Sequence, residues 1–201
     1  MAQLEVETKV RLRKEDIAEL RKRILKIARF EKKRSKADDY FAIPRKGFGI
    51  IRKYPKKAFR IRDNGESYVI NFKRWLRKYW TKYIVIKEEF EFDTNHPEKF
   101  TALMADFGFK EWMKKFKSSE SYRYKKNPKV DIEINKVKHL GYFMEIEYIA
   151  EHSEREMAVK TVMQILKDLD IDLNDVDNTG YTRMLWNKGI RDKKDFIKVK
   201  F

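Results

Sequence analysis

Glu5-Val6-Glu7-Thr8-Lys9 sets two carboxylates and an ammonium on alternate residues of a segment that otherwise has the pattern of a buried strand. In a strand, Leu4, Val6, Thr8, Val10 and Leu12 point to one side and Glu5, Glu7, Lys9, Arg11 and Arg13 to the other. Two carboxylates about 7 Å apart on one face can grip a hard divalent cation, and a lysine one step further can meet the anion that cation brings. The chemistry expected is a metal ion acting on a polyanion.

The elements that must position these groups follow the same pattern. Glu89-Phe90-Glu91-Phe92 and Glu145-Ile146-Glu147-Tyr148 repeat the charged-apolar alternation, and each copy precedes a candidate helix. The first helix is expected from Glu15 to Glu31, with Ile17, Leu20, Ile24 and Ile27 as its apolar stripe. A second begins after Asn95 with Pro97 in its first turn and stops at Gly108. A third opens at Ser153, with Glu156 completing a capping box. Three strand-then-helix units suggest a mixed sheet whose apolar face is covered by helices and whose other face is charged.

The chain has 201 residues, no cysteine and a formal net charge of +16. The missing cysteines exclude disulfides, a thiol nucleophile and a thiolate zinc site. His96, His139 and His152 lack metal-ligand spacing and read as surface residues. No apolar run is long enough to span a bilayer and no signal-peptide core opens the chain, so a cytoplasmic protein with no membrane partner is expected. The charge calls for a polyanionic partner or a very basic solvated surface. Much of it lies between Arg45 and Lys87, where Lys73, Arg74, Arg77, Lys78 and Lys82 interleave with Trp75, Tyr79, Trp80 and Tyr83. RNA contact through stacking and phosphates is one reading of that run. The favoured one is a hairpin whose aromatics pack on the domain while its lysines face water.

The ordered set of motifs resembles the CYTH superfamily, the triphosphate tunnel metalloenzymes that include class IV adenylate cyclases and thiamine triphosphatases. Glu5-Val6-Glu7-Thr8-Lys9 matches its E-x-E-x-K signature, and Asp38-Asp39-Tyr40-Phe41-Ala42-Ile43-Pro44 resembles its D-x-Y-F-x-x-P segment. Phe59-Arg60-Ile61-Arg62 with Ile70-Asn71-Phe72-Lys73 resembles its paired-arginine strand and hairpin partner. Glu89-Phe90-Glu91 resembles its central E-x-E, and Leu140 to Glu147 its L-G-x-F-x-E-I-E segment. The resemblance implies an α+β fold: a closed eight-stranded antiparallel β-barrel forming a tunnel, with helices packed outside. One such domain is expected over residues 1–190, with a basic tail or added strand over 191–201.

The same resemblance implies roles. Glu5, Glu7, Glu145 and Glu147 correspond to metal ligands for Mg²⁺ or Mn²⁺, and Lys9, Arg60, Arg62, Lys73 and Lys117 to phosphate-binding residues. Lys9 and Tyr40 are the candidate catalytic residues, although a half-buried structural tyrosine is an equal reading of Tyr40. Glu89 and Glu91 serve either the metal or the balancing of buried arginines, the second being favoured. Tyr181 reads as helix packing.

Two positions depart from the family pattern. Asn135 stands where an aspartate is usual, and Glu133, two residues earlier on the same face, is the candidate to replace it as a metal ligand. Ser119 stands where an arginine is usual, with Lys114, Lys115, Arg123 and Lys125 as candidates to compensate. The expected function is divalent-cation-dependent hydrolysis of tripolyphosphate, thiamine triphosphate or a nucleoside triphosphate. Class IV adenylate cyclase and a non-catalytic binder of inorganic polyphosphate or RNA are the alternatives.

Overall fold

The segment Gln3–Leu12 forms β1, and residues Leu4 to Val10 are buried on both of its faces. A strand can bury acids and lysines on one side only if that side meets compensating charge, which a closed sheet provides. The computed structural model describes residues 3–44, 51, 53–64 and 67–190. Within it, β1 is followed by β2 (Ala28–Ala42), β3 (Phe59–Asp63), β4 (Tyr68–Trp75), β5 (Val85–Thr94), β6 (Lys110–Tyr124), β7 (Val130–Val137) and β8 (Gly141–Ala150). They close into a barrel in the order β1-β5-β4-β3-β2-β6-β7-β8. Among the described residues four helices lie outside it: α1 (Ile17–Ile27), α2 (Pro97–Asp106), α3 (Arg155–Asp168) and α4 (Tyr181–Asn187). The antiparallel barrel implied by the motifs is present. The mixed sheet suggested by the strand-helix alternation is not, because β1 pairs antiparallel with both β5 and β8.

Register brings the charged residues opposite one another. Across β1 and β8, Glu7 faces Glu147 and Lys9 faces Glu145. Across β1 and β5, Gln3 faces Glu89 and Glu5 faces Lys87. Directly opposed residues share a face, so each pairing extends the charged side of β1 onto its neighbours. Farther along, Glu133 of β7 faces Glu145.

The chain divides into two compact units. The first comprises Met1–Arg34, Lys73–Phe90 and Ser118–Asn178. Its core joins Leu4, Val6 and Val10 of β1 to Ile17, Leu20 and Ile24 of α1, and to Ala158, Val162, Ile165 and Leu166 of α3. Each fully buried aliphatic side chain there contributes about 1.5–3 kcal/mol. The second unit comprises Ser35–Phe72, Glu91–Lys117 and Thr179–Phe201. Phe59, Ile61 and Ile70 form its core, against which Phe41, Phe100, Met104 and Phe109 pack.

Two helix boundaries differ from expectation. The first helix stops at Ile27, not Glu31, because β2 begins at Ala28 in extended conformation. Lys125 seals that end: its backbone N–H donates to Ile27 O at 2.9 Å, and its ammonium donates to the Leu25 and Lys26 carbonyls. Before α3 the chain makes one tight turn at His152–Glu154, so the capping box is formed by Glu151 and Glu154 rather than Ser153 and Glu156. The second helix follows expectation, with Pro97 in its first turn and Gly108 just past its end at φ +86°. The proposed tail over 191–201 lies outside the described residues, as do Arg45, Arg52 and Gly65.

Candidate active site

Three carboxylates of the first unit, from Glu5, Glu89 and Glu147, lie with one oxygen each within 4.8 Å of one another. Glu5 is fully buried. Lys73 donates a hydrogen bond to Glu5 Oε2 and lies 3.1 Å from Glu89 Oε1. Among the described residues no donor hydrogen-bonds to Glu5 Oε1, which is also buried, and Lys87 Nζ stands 3.6 Å from it. A buried carboxylate oxygen left without a donor is costly, and a hard divalent cation satisfies it. The donor set, three carboxylates presenting oxygen, suits Mg²⁺ or Mn²⁺.

The electrostatics of this group are uneven. Burial acts to raise the Glu5 pKa, but Lys73 and Lys87 outweigh it and hold the carboxyl well below its usual range. Burial raises Glu147 well above the usual range, and the charge of Glu5 raises it further. Glu7 is pushed up to about 7 by burial, against the pull of Lys87 and with added repulsion from Glu5. Lys87 donates to Glu7 Oε1 at 2.5 Å. Burial lowers the Lys9 pKa, while the nearby Glu145 and Glu7 act the other way.

The remaining acidic candidates of this unit make other contacts. Glu145 Oε2 accepts a hydrogen bond from Asn135 Nδ2 at 2.7 Å, and Asn135 Oδ1 accepts one from Ser119 Oγ at 2.5 Å. The two residues that depart from the motif pattern are therefore bonded to each other, both fully buried. An amide and a hydroxyl satisfy one another there without net charge. Glu133 accepts from Ser121 Oγ at 3.2 Å. Among the described residues, Glu7, Glu133 and Glu145 are not members of the close carboxylate group; Glu89 is.

The second unit holds a basic cluster built on one buried acid. Asp38, fully buried, accepts from Arg62 Nε at 2.7 Å and from Arg62 Nη2 at 3.2 Å. Lys115 Nζ lies 2.7 Å from Asp38 Oδ2, and Arg60 Nη1 lies 3.7 Å from it. Burial would raise the Asp38 pKa, but Lys115, Arg62 and Arg60 together hold it well below the usual range. Tyr40 donates to the same carboxylate at 3.4 Å, and its ring packs edge-on to Trp112. Arg60 also lies 3.5 Å from Glu91, which accepts from Asn71 Nδ2 at 2.8 Å. Glu91 thus balances an arginine while Glu89 joins the carboxylate group. Lys117 is buried two residues beyond Lys115 on the same face of β6.

Lys87 and Asp38 carried no assigned role in the motif reading, and Lys115 only that of one of four candidates to compensate for Ser119, yet each is central to a cluster. The signal available was parity: Lys87 stands two before Glu89, Asp38 two before Tyr40, and Lys115 two before Lys117. Parity names a shared face but not a partner across strands.

The sequence matches the CYTH domain family over residues 3–181. The chain belongs to the CYTH family. No curated protein matches it. Among solved structures, the CYTH barrel is similar to PH1819 from Pyrococcus horikoshii OT3, with 26% identity over 92% of this chain and 99% of that one and a TM-score of 0.71. PH1012 from the same organism has 25% identity, covering 88% and 96%, with a TM-score of 0.68. HpAC1 from Hippeastrum, described as a candidate adenylyl cyclase with a dominant triphosphatase activity, shares the fold at 15% identity, 93% and 96% coverage and a TM-score of 0.62. Among the described residues, no helix is long and apolar enough to cross a membrane.

Proposed function

We propose that this CYTH protein is a divalent-cation-dependent triphosphatase. The observation that carries the reading is the group formed by Glu5, Glu89 and Glu147, with a buried Glu5 oxygen that no hydrogen bond satisfies among the described residues. These three side chains would hold Mg²⁺ or Mn²⁺, which when bound supplies neutralising charge to phosphate oxygens. The triphosphatase activity described for HpAC1 supports the same class of reaction.

The chain's own residues do the rest. Arg60, Arg62, Lys115 and Lys117 are assigned to phosphate oxygens, where guanidinium forks and ammonium groups offset the charge that shifts as a P–O bond breaks. Asp38 holds Arg62 and Lys115 in place by direct contacts of 2.7 Å, so these cations are set before substrate arrives. Lys73 and Lys9 are assigned to the phosphates beside the carboxylate group. Tyr40 positions Asp38 and needs no direct part in the reaction. Transfer of the terminal phosphoryl group to water in line requires no covalent protein nucleophile.

Phosphate release from tripolyphosphate, thiamine triphosphate and ATP, each with Mg²⁺, Mn²⁺ or chelator, tests this reading. Turnover that requires metal and is lost in Glu5→Gln and Glu147→Gln is expected. Turnover indifferent to chelator, or absent on every substrate, would count against it. Cyclic AMP and pyrophosphate from ATP would make the protein a cyclase instead.

A further inference from the structure

The connection between β4 and β5 in the first unit concentrates exposed cations and aromatic rings. Arg77, Lys78 and Lys82 are exposed, and among the described residues none of the three forms an ion pair with a carboxylate. Elsewhere in this unit Arg21 meets Glu120 at 2.7 Å, Arg123 meets Glu31 at 3.2 Å and Lys129 meets Glu154 at 2.7 Å. The hairpin cations instead lie over rings. The Arg77 guanidinium is 5.5 Å from the Trp75 centroid and 5.6 Å from that of Trp80; Lys78 sits 4.7 Å over Tyr79 and Lys82 5.1 Å over Tyr83.

Hydrogen bonds brace the platform. Trp80 Nε1 donates to Ile86 O at 2.9 Å, Leu76 N to the same carbonyl at 3.0 Å, and Thr81 closes the turn through hydrogen bonds with Ile84. Tyr79, Trp80 and Tyr83 rest partly on the apolar core, as the packing reading expected. Trp75 does not: it is 46% exposed, with its ring 5.2 Å from that of Trp80. Packing alone does not account for an exposed indole beside cations that lack carboxylate partners. An aromatic face for a base and exposed ammonium and guanidinium edges for phosphates are what an unpaired strand requires.

We propose that this hairpin is a docking surface for single-stranded nucleic acid, with Trp75 stacking on a base and Arg77, Lys78 and Lys82 meeting the backbone. The surface is independent of the hydrolysis assigned to the buried clusters. Fluorescence anisotropy with a labelled mixed-sequence RNA oligonucleotide, its DNA counterpart and a duplex, each across a salt series, tests it. Preference for the single strands is expected, with log affinity falling against log salt by about 0.7 per phosphate contact. Trp75→Ala should weaken single-strand binding at least about fivefold. Lys78→Glu with Lys82→Glu should lower both the affinity and the salt slope. Both variants should keep the wild-type melting temperature and any tripolyphosphate hydrolysis, because these side chains lie on the surface. Wild-type RNA affinity in the variants, equal binding of duplex, displacement of RNA by tripolyphosphate alone, or capture by anionic vesicles without RNA binding would each overturn the proposal.

Discussion

At the scale of single residues, the decisive groups are buried acids whose cost is met by nearby cations. Asp38 shows the sign plainly. Its pKa in the folded protein is depressed, so its contribution to stability is complete above the unfolded value of about 3.9 and is lost as pH falls through the folded value. The melting temperature should therefore drop along an acid limb that Asp38→Asn flattens. At neutral pH the same substitution leaves Arg60, Arg62 and Lys115 without their shared anion and should cost about 3–5 kcal/mol in denaturant unfolding. Glu147→Gln acts differently. It removes one of three close carboxylates and should weaken divalent-cation affinity by at least about tenfold, read by calorimetric titration. Affinity unchanged by that substitution would shift the ion to other ligands.

At the scale of elements, the barrel strands work by having two unlike faces. In β1 the apolar face packs against α1 and α3 while the charged face meets the acids and lysines of β5 and β8. Ile165 of α3 is fully buried on that apolar side, and Ile165→Ala should destabilise the protein by about 2–5 kcal/mol without altering substrate preference. A chemical denaturation curve and the substrate panel separate the two effects. At the end of α1, Lys125→Ala removes a cation that donates to two terminal carbonyls, at a cost of about 0.3–1 kcal/mol. Periodicity predicted the apolar stripe of α1 but overran its end, because Arg29, Phe30 and Glu31 are acceptable in a helix and only pairing of the following segment draws them into β2. Similarly, Ser153 and Glu156 have capping-box spacing, yet the tight turn from His152 moves the cap to Glu151 and Glu154.

At the scale of the whole molecule, a net charge of +16 coexists with buried acids at Glu5, Glu7 and Asp38 and a close carboxylate group at Glu5, Glu89 and Glu147. A cation bound among Glu5, Glu89 and Glu147 relieves their mutual repulsion and should stabilise the folded state by about 2.7 kcal/mol at a hundredfold excess over its dissociation constant. Adding Mg²⁺ or Mn²⁺ should raise the melting temperature, and chelator should reverse the rise. No shift with either ion would argue against a metal at these residues.

The ordered motifs from Glu5 to Glu147 indicated the barrel through their resemblance to the CYTH family, whereas alternation alone suggested a mixed sheet, because it shows that a strand has a charged face but not how the sheet closes around it. They also named Glu5, Glu147, Arg60 and Arg62 as groups that could do chemistry. What only the tertiary structure decided is which charges meet. It brought Glu89 together with Glu5 and Glu147, set Glu91 against Arg60, gathered three cations on Asp38, and joined Asn135 to Ser119 and Glu145. Alternation along one strand fixes the side to which a residue points; its partner depends on the register of neighbouring strands, which is set by the packing of the apolar faces over the entire barrel.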